Sequence, residues 1–251
     1  MPVPFKTRPP VTGAAPAGAA DERSAARAVQ QMFDEISPRY DLLNHVLSMN
    51  VDRLWWWRTA RAFRSTLRKP GARTLDLCCG TGDMAAALRR QTPGAVIIGA
   101  DFSRGMLTRG RRKFSSSLVA PVEADALQLP FPDRTFDLVV SAFGFRNLAK
   151  YDAGLEEIYR VLRPEGEIGI LDFSEPGGML GKLYGFYFRN ILPKIGTLLS
   201  GVSGPYSYLP ASVSRFPSPN EMLDRMRTAG YGNVVWRPYT FGIAGLYRGK
   251  K

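Results

Sequence analysis

From Asp21 onward the apolar positions of this chain fall into helical stripes and short continuous runs that alternate. Ala25, Val29, Met32, Phe33 and Ile36 share one helical face, which ends at Ser37-Pro38. Thr74-Leu75-Asp76-Leu77 predicts a buried strand. Cys78-Cys79-Gly80-Thr81-Gly82-Asp83 then predicts a tight loop, and Met84 to Leu88 the start of a helix. The alternation repeats: Val96–Asp101 reads as a second strand, followed by a helix through Met106 and Leu107. Pro121–Ala126 reads as a third strand and Phe136–Ser141 as a fourth. Helix Ala153–Leu162 leads through Arg163-Pro164-Glu165-Gly166 into strand Ile168–Asp172. Asn220–Ala229 predicts a helix stopped by Gly230. Asn233–Pro238 and Thr240–Tyr247 predict a closing pair of strands, where Pro238 fits only at a strand end. Strand-helix units of this length build a parallel sheet covered on both faces, hence a single α/β domain.

Three stretches stand outside this rhythm. Residues 1–20, prolines among alanines and glycines, bury too little to offset ordering and are expected to form a disordered tail. Residues 21–70 predict a helical cap, in which Trp55, Trp56 and Trp57 cannot all face one core, so that at least one lines a pocket or meets a partner. Residues 176–218 interrupt the units as an inserted cap, with Leu180, Leu183, Tyr184, Tyr187, Phe188, Ile191 and Leu192 on one face and Lys182 and Arg189 off it. That face reads either as a core-facing helix or as a basic amphipathic surface for lipid or an oily substrate. Between and after them lie a ligand-binding core at 71–175 and a C-terminal helix and strands at 219–251.

The charge adds a partner class. Against 22 acidic residues the chain carries 34 Lys and Arg, a formal +12, which points to nucleic acid, a membrane surface or an acidic substrate. The two cysteines are adjacent, so they form no ordinary disulfide and lack metal-site spacing; a reducing cytoplasm fits, and no metal is expected. No apolar run is long enough to span a bilayer, and the N-terminus has no apolar core of a secretory signal.

The candidate chemistry sits at the strand ends. Gly80 and Gly82 let a ligand lie against the main chain. Acidic Asp83 stands where a pyrophosphate binder wants a third glycine, and no Gly-Lys-Ser/Thr follows the loop, so the ligand there is not expected to be anionic. Asp101, 19 residues past Gly82, is placed to accept two ribose hydroxyls. Asp125-Ala126 at the next strand end can receive an adenine amino group, and Asp76 with Asp83 leaves a negative rim suited to a cationic amino acid portion. An adenosine with a positive centre and an ammonium is S-adenosylmethionine. Each acid alone also reads as a turn former; their placement on three successive strands carries the reading.

Asp76-Leu-Cys-Cys-Gly80-Thr81-Gly82-Asp83 resembles the first motif of class I S-adenosylmethionine-dependent methyltransferases. Asp101, Asp125-Ala126 with Leu129-Pro130-Phe131-Pro132, and Arg160 to Gly166 resemble its later ones. More specific are Phe33-Asp34-x-Ile36-Ser37-Pro38-x-Tyr40-Asp41-x-x-Asn44, Phe143-Gly144-Phe145-Arg146-Asn147, Leu171-Asp172-Phe173-Ser174 and Leu192-Pro193-x-Ile195-Gly196. Together they resemble the ubiquinone/menaquinone C-methyltransferase family (UbiE/MenG) from about residue 28 to the end. Three positions depart from that pattern. Cys78 and Cys79 stand where a small residue and a glycine are common, and Ala142 replaces a serine before Phe143-Gly144.

The resemblance implies a Rossmann-like fold with a seven-stranded, mostly parallel sheet, and Thr81, Asp101, Asp125 and Ala126 as cofactor contacts. It implies C-methylation of a prenylated quinol, demethylmenaquinol for preference and a benzoquinol of ubiquinone synthesis as the alternative. A quinone ring carbon is electron-poor, so the substrate is expected to be the reduced quinol. Transfer then needs positioning, water exclusion and stabilisation of the phenolate. Arg146 is expected over the ligand edge to steady that oxygen, with Asn147 helping; its alternative is a structural ion pair with an acid of the cap. Tyr40, Asp41 and Asn44 are candidates to orient the ring or take up its proton, and His45 is a base by type but a structural residue by setting. A cytoplasmic enzyme touching an anionic membrane, with a homodimer allowed, completes the picture.

A nucleic-acid methyltransferase also accounts for the charge. The fourth strand, however, ends Ser141-Ala142-Phe143-Gly144 instead of Asn/Asp-Pro-Pro-Tyr, and neither cysteine follows a proline. A nicotinamide dehydrogenase lacks its third glycine, while a non-catalytic S-adenosylmethionine-binding module stays open.

Overall fold

The computed structural model describes residues 12–14, 16, 21–36, 50–92, 94–176 and 205–251. In chain order the elements are α1 (Glu22–Ile36), α2 (Val51–Ala62), α3 (Arg64–Leu67), β1 (Arg73–Leu77), α4 (Asp83–Gln91), β2 (Val96–Asp101), α5 (Arg104–Ser116), β3 (Val119–Glu123) and β4 (Phe136–Ala142). A 3₁₀ turn at Phe145–Asn147 follows, then α6 (Tyr151–Val161), β5 (Leu162–Phe173), α7 (Pro205–Arg215), α8 (Pro219–Thr228), β6 (Gly232–Tyr239) and β7 (Ala244–Lys250).

The seven strands form one sheet in the order β3-β2-β1-β4-β5-β7-β6. β1 to β5 run parallel, and β7 is antiparallel to both β5 and β6. The strand order therefore reverses between β1 and β4, and a crevice opens beyond their carboxyl ends, where Leu77 pairs with Ser141. Pro238 lies near the end of edge strand β6, where a missing donor breaks no central ladder.

Both faces of the sheet are covered, as the apolar runs require. Leu75, Leu77, Val139, Ile168 and Ile170 pack beneath α6 and α8 through Ile158 and Met222. The alternate residues Leu138, Val140 and Leu171 pack on the other face with Phe63, Ala85 and Leu88. The helices and strands expected from the apolar pattern are present within a few residues. β5 begins at Leu162, six residues before the expected Ile168, and the third strand ends at Glu123, not Ala126, because Asp125 turns the chain. Its Oδ1 accepts the Leu127 N–H at 2.9 Å and its carbonyl accepts the Gln128 N–H at 3.1 Å.

Part of the expected tail is also placed. The Ala14 N–H donates to the Leu148 carbonyl and the Tyr151 N–H to the Thr12 carbonyl, both at 2.7 Å, so residues 12–14 pair with the chain beyond β4. Backbone pairing of this kind does not register in composition, since every residue carries the donor and acceptor it uses. The tryptophans separate as their adjacency demands. Trp55 is buried against Phe143 and Phe173, with ring centroids 5.7 and 6.0 Å away, whereas Trp57 is 46 % exposed.

Candidate active site

The loop after β1 does what its glycines suggest, with one surprise. Cys78, Gly80 and Gly82 have φ of 54°, 53° and 91°, so the left-handed region is used three times in five residues. Cys78 thus adopts the conformation that a glycine holds more cheaply. At Gly82 an added Cβ would lie 2.4 Å from the Phe114 ring, so both conformation and space require glycine there. Gly82 then opens α4.

Asp101, at the end of β2, faces this loop. Its Oδ2 accepts the Gly80 N–H at 2.8 Å and its Oδ1 the Ser103 N–H at 2.9 Å. Each carboxylate oxygen keeps a further lone pair for a ligand hydroxyl. Burial outweighs the two N–H bonds and lifts the Asp101 pKa from 3.8 to about 6. Asp76 is more extreme: it is fully buried, neither oxygen has a hydrogen-bond partner in good geometry, and desolvation, with the charges of Asp101 and Asp83 adding to it, raises its pKa well above 3.8. The spare lone pairs of Asp101 and the unsatisfied Asp76 beneath the loop favour a ligand that brings donors.

The loop's third acid is different. Asp83 is neutralised by Lys113 Nζ at 2.6 Å, and that ammonium also donates to Thr81 Oγ1 at 3.2 Å. Of the two acids expected to form a negative rim, Asp76 is therefore buried out of the cleft wall and Asp83 is paired. Lys113, 30 residues from Asp83 along the chain, was not legible as its partner.

A cleft partly open to solvent lies over the ends of β1, β2 and β4. Its wall includes Cys78, Gly80, Asp101, Asp125 and Ala126, together with Phe143, Gly144 and Asn147. Asp76, at the end of β1, and the loop residues Thr81 and Gly82 do not line it. Phe33 of α1 closes one side, a role that periodicity alone did not reveal. Asp34, beside it, accepts from Ser103 Oγ at 2.5 Å and from the Gly105 N–H at 3.1 Å, while Gln30 Nε2 donates to the Phe102 carbonyl at 2.7 Å. The specific Phe33-Asp34 motif thus fastens α1 to the start of α5.

Arg146 corrects the expectation placed on it. Its side chain is 6 % exposed and bonds Asp172 Oδ1 at 2.9 Å, with a further bond from Nη1 to the Phe143 carbonyl, and it does not line the cleft. The ion pair expected as the alternative is what forms, though with the acid ending β5 and not with one from the cap. Burial raises the Asp172 pKa and Arg146 opposes that rise. Asn147 does reach the cleft: its Oδ1 accepts the Tyr208 hydroxyl at 3.1 Å, which leaves the amide N–H groups as the donors it presents. Tyr208 of α7, missed in the sequence, is half-buried, and desolvation raises its pKa. Tyr40, Asp41, Asn44, His45 and the amphipathic stretch of 177–204 lie outside the described residues.

Both thiols are held protonated by burial, with Asp76 and Asp101 adding to the effect, so neither is poised as a nucleophile. An adenosine ligand with a cationic amino acid end suits the site that remains: hydroxyl acceptors at Asp101, an orphaned carboxylate below the loop, and apolar walls. The ubiE/COQ5 methyltransferase family model matches residues 19–251. The chain belongs to the UbiE/COQ5 methyltransferase family. It is an S-adenosylmethionine-dependent methyltransferase with a Rossmann-like fold.

Its relatives cover nearly all of it. The chain is 44 % identical over 249 residues to the demethylmenaquinone methyltransferase of Deinococcus radiodurans, covering 98 % of each chain. It is 47 % identical over 223 residues to that of Thermus thermophilus, covering 88 % of this chain and all of the relative. The ubiquinone/menaquinone biosynthesis C-methyltransferase UbiE of Geobacter sulfurreducens is 45 % identical, covering 89 % and 88 %. Among solved structures, the [4+2]-cyclase SpnF matches with a TM-score of 0.67 at 17 % identity, covering 97 % and 99 %. A Thermotoga maritima S-adenosylmethionine-dependent methyltransferase matches with 0.63 at 19 %, covering 88 % and 99 %. These two show the fold alone.

Proposed function

We propose that this enzyme methylates a ring carbon of a prenylated quinol, demethylmenaquinol, in menaquinone synthesis. The supporting observation is a cleft whose wall brings together Asp101, an acceptor for hydroxyls, with Phe33, Phe143 and Asn147. The names of the Deinococcus and Thermus relatives supply the substrate.

In this reading Asp101 holds the ribose hydroxyls of the donor. Asp125-Ala126 receives the adenine edge, and Asp76 stabilises the cationic portion through the loop. When bound, S-adenosylmethionine supplies an electrophilic methyl on a sulfonium. The quinol loses a phenolic proton and its ring carbon becomes electron-rich; a carbon–carbon bond to the methyl forms as the sulfur–methyl bond breaks. The ring proton then leaves to water, restoring aromaticity, and the phenolate oxygen takes a proton back, so that one proton is released overall. Asn147 donates to the phenolate oxygen. Arg146 is a positioning residue, holding the Phe143–Asn147 turn against Asp172.

Among the described residues no helix is long and apolar enough to cross a membrane. The formal +12 supports a cytoplasmic enzyme that meets its lipid substrate at an anionic membrane surface. The test is to supply labelled donor with reduced demethylmenaquinone and, separately, a reduced demethylated benzoquinone, then to identify the products by mass. Carbon-methylated naphthoquinol as the main product supports the assignment. Preferential methylation of the benzoquinol reassigns the enzyme to ubiquinone synthesis.

A further inference from the structure

The two faces of α2 differ in kind. Asp52, Trp55, Thr59 and Ala60 are buried against the domain. Leu54, Trp57, Arg58 and Arg61, spaced to share the opposite face, are all exposed, Leu54 at 48 % and Trp57 at 46 %. The turn between β6 and β7 adds a second apolar tip, Phe241, at 82 % exposure. Phe241 has φ 57° and ψ 23°, a left-handed conformation that a bulky residue rarely holds, and yet glycine occupies only the next position. The turn is fastened beside the helix: Trp55 Nε1 donates to Thr240 Oγ1 at 2.8 Å, and the Arg58 guanidinium stacks over the Tyr239 ring at 4.6 Å.

Charge decides what such a face fits. Between Arg53 and Lys69 the chain has six basic residues and no acid. Among the described residues Arg53, Arg58, Arg61 and Arg64 make no ion pair. Leucine and tryptophan on a helix flanked by arginines, with an exposed phenylalanine alongside, is the composition that lies in a lipid interface: apolar tips enter the acyl boundary and guanidinium groups meet phosphates.

We propose that the outer face of α2, with the Phe241 turn, is the surface by which this enzyme docks on an anionic bilayer. The inference rests on the reading that its quinol is held in a membrane. The geometry links docking to catalysis, because Trp55, on the inner face of the same helix, packs against Phe143 of the cleft wall at 5.7 Å. The surface is distinct from residues 177–204, to which the sequence pattern alone had directed attention.

The test is flotation of the purified full chain with phosphatidylcholine vesicles, with and without phosphatidylglycerol. The parent should float only with the anionic lipid. Each cation near such a surface contributes about fivefold to partitioning, so Arg53→Gln/Arg61→Gln/Arg64→Gln should lower it by roughly a hundredfold. Leu54→Ser/Trp57→Ser/Phe241→Ser should lower it comparably. Arg109→Gln/Arg111→Gln/Arg112→Gln on exposed α5 removes the same charge elsewhere and should change it little. All four proteins should melt alike and methylate a water-soluble, short-chain quinol alike. The proposal is overturned if the parent ignores anionic vesicles, if either α2 variant floats as the parent does, or if the α5 variant loses as much. A parent that fails on the soluble quinol instead refutes the substrate reading.

Discussion

Replacing Asp101 with asparagine removes one charge and no volume from the centre of the site. The carboxylate holds the Gly80 and Ser103 N–H groups at 2.8 and 2.9 Å and, in the proposed complex, two ribose hydroxyls. Asparagine keeps one acceptor but points an NH2 group at donors on the other side. A hydrogen bond to a charged group contributes about 1.5–3 kcal/mol. One such bond is lost and the other loses its charge, so the donor should bind about 3 kcal/mol more weakly, a little over a hundredfold in Kd. Folding should suffer little. Displacement of the Asp101 pKa from 3.8 to about 6 means that ionised burial costs about 3 kcal/mol at neutral pH, and the neutral amide is spared that while leaving one N–H facing it.

Acid provides an internal control. A donor that needs the Asp101 carboxylate is bound by the ionised form; with a free-state pKa of about 6, affinity should be level above pH 7 and fall about tenfold by pH 5. Most of that slope should vanish in Asp101→Asn. Titration calorimetry with S-adenosylmethionine at both pH values, beside a thermal melt, measures all three quantities. A variant that binds within threefold of the parent, or a parent whose affinity ignores acid, refutes the reasoning.

Other perturbations address the surrounding structure. In Gly144→Ala the new Cβ would sit 2.3 Å from the Cys78 Cβ, so the cleft wall must shift; a stability loss of about 1–3 kcal/mol by urea unfolding and weaker donor binding are expected. Arg146→Met strands Asp172 and should cost about 3–5 kcal/mol, whereas Arg146→Met/Asp172→Leu should recover much of it; a double variant no more stable than the single would deny that the pair is structural. Asn147→Ala should lower kcat at least tenfold with donor Kd within threefold of the parent. Tyr208→Phe should lower kcat about fivefold, one neutral hydrogen bond. Steady-state kinetics on the soluble quinol would expose an Asn147 effect confined to KM.

Much of this was readable because period and punctuation are local properties. Leu75 and Leu77 with Val139 and Ile168 announce buried parallel strands, and Gly80 with Gly82 announces the turn, whatever the rest of the chain does. The acids at strand ends were legible for the same reason, since parallel strands bring their carboxyl ends to one edge. Pairings between distant side chains were not. Lys113 neutralising Asp83 across 30 residues, Asp172 claiming Arg146 across 26, and Tyr208 meeting Asn147 across 61 depend on where helices cross the sheet. Position in the motif suggested that Arg146 faces the ligand; the buried charge of Asp172 draws it inward, since an unpaired carboxylate at 0 % exposure costs more than the arginine gains at the cleft.

The account turns on three strand ends and one glycine loop holding the methyl donor with its sulfonium toward Asn147. A crystal structure with S-adenosylhomocysteine tests this most directly. The expected result has both ribose hydroxyls within hydrogen-bonding distance of Asp101, adenine beside Asp125-Ala126, and the sulfur facing Phe143 and Asn147. A ligand bound elsewhere, or one bound here with its ribose away from Asp101, contradicts it.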